Sequence, residues 1–199
     1  MEYIVSEIRK DLEKQDFLPG TNESIDWFQE RVKGLQDRID RRRLTSEVMA
    51  MRGYQTPRIG RFYLFHYMPK GLLTLPYFDM FPVILLTDVK KDYFDGLNMH
   101  YLPLDIREKF YGSLLERVSN RTMGKDTFIR IDYDMLKAFR KYRAYKPAYK
   151  RYDIKQVRGR VINIPASEWQ IVMNLPTARW RKKPEEVIYA QTRREYRKL

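Results

Sequence analysis

Apolar residues recur along this chain with two different periods, and the change from one to the other divides it. Between Tyr3 and Lys14, the residues Ile4, Ile8 and Leu12 fall four apart, which predicts a short amphipathic helix that stops at the turn-forming Leu18-Pro-Gly-Thr21. Asn22 or Ser24 can cap a second, longer helix, in which Ile25, Phe28, Val32, Leu35 and Ile39 alternate spacings of three and four. A stripe this short, about two heptads, predicts an arm over residues 1–56 that packs on its own domain or on a neighbouring subunit rather than a sustained coiled coil. Arg41, Arg42 and Arg43 end it.

From Ile59 the period shortens. Phe62 and Leu64 with Tyr63, Phe65 and Tyr67 predict a strand apolar on both faces, stopped by Pro69 and Gly71. Thr74 to Pro82 is too proline-broken for a helix and too aromatic for a solvated loop, so it is expected across the core or an interface. Val83–Val89 reads as a second strand, and Leu97, Met99 and Tyr101, alternating with Asn98 and His100, as a third. Asp105 and Glu108 match a capping box ahead of a helical face made by Ile106, Phe110, Leu114 and Val118. Thr127–Ile131 predicts a strand, and Asp132 can cap a helix carrying Met135, Leu136 and Phe139 that ends before Pro147. Val157–Ile164 predicts a further strand, and Pro165–Asn174 a short helix with Trp169, Val172 and Met173. The polar, basic stretch after Pro176 is expected to be extended. The fold class that follows is α+β: a small antiparallel sheet of four or five strands, or a partly open barrel, with two or three packed helices. The expected organisation is a helical arm (1–56), a core domain (57–176) and a basic tail (177–199).

Composition narrows the chemistry. With 199 residues, 43% of them hydrophobic, the chain can close one real core. Its formal charge of +13 implies attraction to nucleic acid, an anionic membrane surface or an acidic protein. The excess sits late: residues 121–160 carry 13 basic against 4 acidic side chains, and residues 179–199 carry 8 against 3. With no cysteine, disulfides and thiolate nucleophiles are excluded. The N-terminus has no secretory pattern, and no apolar run approaches the ~20 residues that would span a bilayer, so no membrane partner is expected.

Catalytic groups are sparse. His66 and His100 each alternate with apolar residues in predicted strands, where a lone histidine is more often a structural hydrogen-bonding residue than a base. A metal site combining the two with Asp79 or Asp88 lacks the close histidine spacing that presents ligands together. Asp88, Asp92, Asp95, Asp126, Asp132 and Asp134 read as turns and caps. Glycine-rich nucleotide loops and the Gly-x-Ser-x-Gly elbow are missing, so neither catalysis nor a cofactor is expected.

Arg140 to Tyr152 interleaves cations with tyrosines. Such a segment suits phosphates and stacked bases; it equally suits a helix end whose rings pack inward and whose charges face water. The candidate contacts to nucleic acid or an acidic partner are Arg140, Lys141, Arg143, Lys146, Lys150 and Arg151, helped by Arg158 and Arg160. Tyr142, Tyr145 and Tyr149 are candidates for stacking or burial. Fifteen tyrosines and ten phenylalanines exceed what a core of this size is expected to hold, which points to an aromatic interface.

Five ordered segments carry a resemblance: Phe65-His-Tyr-Met-Pro-Lys70, Thr74-Leu-Pro-Tyr-Phe-Asp-Met-Phe-Pro82, Gly96-Leu-Asn-Met-His-Tyr-Leu-Pro103, Arg143-Ala-Tyr-Lys-Pro147 and Glu168-Trp-Gln-Ile-Val-Met-Asn-Leu-Pro176. Across residues 60–185 the chain resembles a family of small virion structural proteins of large contractile-tailed bacteriophages, sometimes labelled DNA end protector. The arm from Tyr3 to Met51 departs from that pattern. The resemblance implies a non-enzymatic virion component at the head, neck and tail region, present in the host cytoplasm during assembly. Other virion proteins, further copies of itself and double-stranded DNA would be its partners. The alternative it leaves is a baseplate or tail assembly protein whose basic face meets an acidic neighbour.

Overall fold

The computed structural model describes residues 57–118, 127–132, 145–174 and 178–197, together with Asp11, Lys14, Trp27, Asp134, Met135 and Phe139. The arm stripe Ile25, Phe28, Val32, Leu35 and Ile39 lies outside the described residues. The strands in chain order are β1 (Phe62–Tyr67), β2 (Phe78–Asp79), β3 (Val83–Val89), β4 (Tyr93–Asn98), β5 (Tyr149–Asp153), β6 (Val157–Ile164) and β7 (Trp180–Arg181). Among the described residues, the helices that can be followed from end to end are α1 (Leu104–Leu115), α2 (Trp169–Asn174) and α3 (Glu185–Tyr196). Five strands form one antiparallel sheet in the order β5-β4-β3-β1-β6, curled into a half-barrel, and β2 pairs with β7 in a small ribbon.

Period-two alternation sorts the sheet's side chains onto two faces. Phe62 and Leu64 of β1, Val83 and Leu85 of β3 and Leu97 of β4 enter the larger core, where α1 adds Ile106, Phe110 and Leu114 and α2 adds Trp169 and Met173. Their neighbours Tyr63, Phe65, Tyr67, Ile84, Leu86, Phe94 and Tyr152 form a second buried cluster. Phe65 is its centre, edge-on to Tyr152 at 5.1 Å and Phe94 at 5.3 Å. Each such pair adds roughly 0.5–1.5 kcal/mol to the burial term. The rings therefore find more room inside than their number suggested: Tyr63, Tyr67, Tyr101, Tyr111 and Tyr152 are all buried. Curling a sheet into two packed faces creates interior area that a flat sheet would leave wet.

Several expectations shift in the folded chain. The third strand ends at Asn98, because the Asn98 side chain accepts from the His100 N–H at 3.0 Å and draws Met99–Tyr101 into a 3-10 turn. Helix α1 starts one residue ahead of Asp105, behind Pro103, so Asp105 sits in the first turn and pairs with Arg193 at 2.9 Å rather than capping. Thr127–Ile131 contributes one bridge, Ile129 to Val118, and the Ile129 N–H donates to the Gly60 carbonyl at 2.7 Å. Asp132 does cap, accepting from the Met135 N–H at 2.7 Å. Arg140 to Tyr152 does not finish as a helix end: residues 145–148 turn and Tyr149–Asp153 becomes an edge strand.

The extended tail is the largest correction. After Pro176 the chain forms β7 and then α3, which buries Ile188 and Thr192 against the body. Thr192 Oγ1 donates to the Tyr101 carbonyl at 2.8 Å. Arg107, itself buried, donates to the carbonyls of Leu102 and Met173 and to the Tyr189 hydroxyl, joining α1, α2 and α3. A polar, basic sequence hides this helix because its apolar stripe is narrow and its remaining anchorage is hydrogen bonding.

Candidate nucleic-acid interface

Strands β5 and β6 are the two edges of the five-stranded sheet, yet only the 3-10 turn Ile154–Gln156 joins them. So short a link requires the curl to bring the edges together at that end, and the Ile154 N–H donates to the Asp92 carbonyl while the Met68 N–H donates to the Gln156 carbonyl. Arg151 on β5, Lys155 in the turn and Arg158 on β6 follow this seam, all exposed. Lys146, also exposed, lies in the turn that leads into β5.

The candidate cations differ in what holds them. Arg151 makes a two-pronged contact to Asp95, at 2.8 and 2.9 Å, and lies over the Tyr93 ring at 3.9 Å. Asp95 is 1% exposed, so Arg151 neutralises a buried carboxylate while its own outer surface stays in water. Lys150 points to the opposite face, partly buried, with its ammonium 4.2 Å from the Tyr101 ring. Burial pushes its pKa down to about 8. Tyr145 packs on Phe110 at 4.8 Å and on Phe139, and Tyr149 packs against the same core. Arg140, Lys141, Tyr142 and Arg143 lie outside the described residues, and Arg160 is described only by its backbone in β6.

Sequence reasoning missed other exposed cations. Arg181 ends β7 and Lys182 follows it, and Arg193 and Arg194 line α3 beside a shallow depression of about 460 Å³ shared with Glu186, Tyr189 and Arg197. Their signal was the charge excess of residues 179–199, which an extended tail gave no surface to organise. Among the described residues from 145 to 197, Glu186 is the one exposed acidic side chain, against nine exposed Lys and Arg. The acidic groups there are otherwise spent on local contacts: Asp153 caps the turn at Lys155, and Glu185 accepts from Tyr189 and Trp180.

A second polar constellation is internal. Asp79 Oδ1 accepts from the Phe81 and Arg179 N–H groups at 2.9 and 3.0 Å, and Oδ2 meets His100 Nδ1 at 2.7 Å. Asn98 Nδ2 reaches both Asp79 Oδ2 at 3.4 Å and the Tyr152 hydroxyl at 3.1 Å. Burial raises the Asp79 carboxyl's pKa, but the His100 charge and the donated hydrogen bonds outweigh it and hold the group below the ordinary carboxylate range. Asp79 and His100 are each 1% exposed, so no substrate reaches them; they tie β2, the end of β4 and the start of β7 together. His66 instead stacks on Phe81 at 4.9 Å. Among the described residues, no three His, Asp or Glu side chains come together as a metal site.

Residues 3–194 match the family described as Phage T4 terminal DNA protecting protein. The chain belongs to that family. The match begins at residue 3 and so takes in the arm that departed from the resemblance read in the sequence. No curated protein and no solved structure matches the chain. Membership makes this a bacteriophage chain of a DNA-protecting family, and all but Arg197 of the exposed cations described between residues 145 and 197 lie inside the matched region.

Proposed function

We propose that this protein binds the ends of linear duplex DNA through the cations of its C-terminal half and acts by occupying the end rather than by turnover. The observation that carries this reading is the charge imbalance on the surface of the described residues between 145 and 197, nine exposed cations to one exposed carboxylate. Phosphates are the polyanion such a surface suits, and releasing their counterions supplies the binding free energy. Lys146, Lys155 and Arg158 would bear on the backbone first, with Arg140, Lys141, Arg143 and Arg160 adding charge from the same stretch of chain. Arg151, tied to Asp95, would add a hydrogen-bonding edge more than net charge. The protein would travel in the virion near the DNA terminus, at the head, neck and tail region, with the helical arm gripping a neighbouring subunit.

The test is retention of linear duplex across a salt series, paired with digestion by an exonuclease. Affinity should fall by roughly 0.9 log units per log unit of salt for each phosphate neutralised. Changing Lys146, Lys155 and Arg158 together to Glu should remove about three such contacts and weaken binding at ~0.1 M salt by about 100-fold or more. Linear DNA should resist the exonuclease with the wild-type protein and lose that resistance with the triple variant. Binding that is absent at low salt, or that ignores salt, would refute DNA contact and favour the acidic protein neighbour instead.

A further inference from the structure

We infer that the turn at residues 71–75 is a wedge that stacks on the terminal base pair of a DNA duplex. This rests on the end-binding reading above and assigns the part of the molecule that distinguishes an end from the duplex side. Leu73 is 93% exposed, and Leu72 and Leu75 flank it at 37% and 36%. Three neighbouring leucines held in water are unusual for a chain that buries almost every other large apolar residue of its sheet.

The turn is braced outward. The Thr74 and Leu75 N–H groups donate to the Gly71 carbonyl at 3.1 and 2.9 Å. From the other end of the chain, Lys182 Nζ donates to the Leu73 carbonyl at 2.8 Å and to the Leu75 carbonyl at 2.6 Å. Lys182 has a φ of 72°, the one positive value among the described non-glycine residues. A lysine has no intrinsic reason to adopt that left-handed backbone, and strain of this kind concentrates where a fold holds a functional group in place. Trp180, close in sequence to Lys182, packs edge to face on Tyr77, close in sequence to the turn, and on Tyr101; the two tyrosine rings are tilted at 34° to each other.

Charge names the occupant. Lys70 precedes the leucines and Lys182 reaches the turn from just beyond β7, both exposed, while the neighbouring Arg181, also exposed, donates to Met80 Sδ at 2.9 Å. No exposed Asp or Glu lies within residues 69–83 or 178–183. An apolar tip rimmed by cations complements a blunt duplex end, where the stacked face of the last base pair is open and its rim is phosphate. The sides of the helix offer no such face without unstacking a step.

The experiment compares a short blunt duplex with the same duplex closed at both ends by hairpin loops, using fluorescence anisotropy, with 2-aminopurine in the terminal pair as a stacking reporter. Wild-type protein should prefer the open duplex by about tenfold and change the terminal 2-aminopurine signal. Leu73→Ser should abolish both while binding the closed duplex as wild type does; the side chain's exposure leaves the fold unaffected. Lys182→Ala, which releases the brace, should reduce the preference without touching the leucines. If wild-type protein binds neither duplex, or both equally, the end-binding reading fails and the wedge with it. If wild type prefers ends and Leu73→Ser does too, the wedge alone is overturned. Loss of self-association, or of anionic vesicle binding, in Leu73→Ser with the end preference intact would also overturn it and assign the tip to a second copy or a lipid surface.

Discussion

Replacing Asp79 by Ala should be among the most damaging single changes in this protein. The carboxylate is 1% exposed and serves the Phe81 N–H, the Arg179 N–H and His100 Nδ1. Its removal orphans these groups, each costing about 1–3 kcal/mol when left buried and unpaired. Three such groups sum to about 3–9 kcal/mol, and because water can enter the vacated space we expect a loss toward the lower end, about 3–5 kcal/mol. That is a large share of the roughly 5–15 kcal/mol that holds a domain together. Urea unfolding read by tryptophan fluorescence measures it, since Trp180 packs 4.7 Å from the Tyr101 ring just beyond the Arg179 link. The pH dependence carries a second signature. A carboxyl whose folded pKa is depressed contributes stability above its unfolded value, about 4, and loses it as pH falls through the folded one. Wild type should therefore weaken steeply in acid below about pH 4, and the Ala variant less so. A cost under about 1 kcal/mol, or an unchanged acid limb, would refute the view that Asp79 anchors the C-terminal segment.

Lys150→Met should stabilise the protein at neutral pH. Its pKa of about 8 in the fold, against about 10.4 unfolded, means the charged form is penalised by about 3 kcal/mol, partly offset by roughly 0.5–2 kcal/mol from the Tyr101 ring, leaving a gain of about 1–2 kcal/mol. The penalty is present in full below pH 8 and fades as pH rises toward 10.4, so the gain should vanish in alkali; a variant less stable at pH 7, or a difference flat with pH, contradicts this. Gly60→Ala should cost more than about 2 kcal/mol, because Gly60 has a φ of 83° and an added Cβ would stand 2.0 Å from the Ile129 carbonyl oxygen. A thermal midpoint within about 2 °C of wild type would show that the contact yields cheaply.

The sheet was legible where short runs rich in β-branched and aromatic residues fill it. Val83–Val89 and Val157–Ile164 form the strands their composition predicts, and the apolar run near Phe62 is buried on both faces, whereas the alternation of Leu97, Met99 and Tyr101 gives a strand only as far as Asn98. Asp132 caps as a short polar side chain before a helical pattern should. Tyr149–Asp153 was not legible, since an alternation of Tyr, Lys and Arg reads equally as a helix end, and pairing with β4 settles it. Nor was α3, whose hold on the body comes from Ile188, Thr192 and the guanidinium of Arg107. Of the candidate cations, the charge count located the region; it could not separate the exposed Lys146 and Arg158 from Lys150, turned over Tyr101, or Arg151, tied to Asp95, and it passed over Lys155 at the seam.

By itself, the order of residues determined the α+β class, the strands near Phe62, at Val83–Val89 and at Val157–Ile164, the basic C-terminal half and the membership of a DNA-protecting phage family, because periodicity, charge and motif are properties of neighbouring positions. Tertiary structure decided which charges are buried and which face outward, the pairing of Asp79 with His100 and the bracing of the leucine turn by Lys182. Those depend on groups 21 to 109 positions apart meeting in space, and only the packing of the sheet and its helices determines which of them meet.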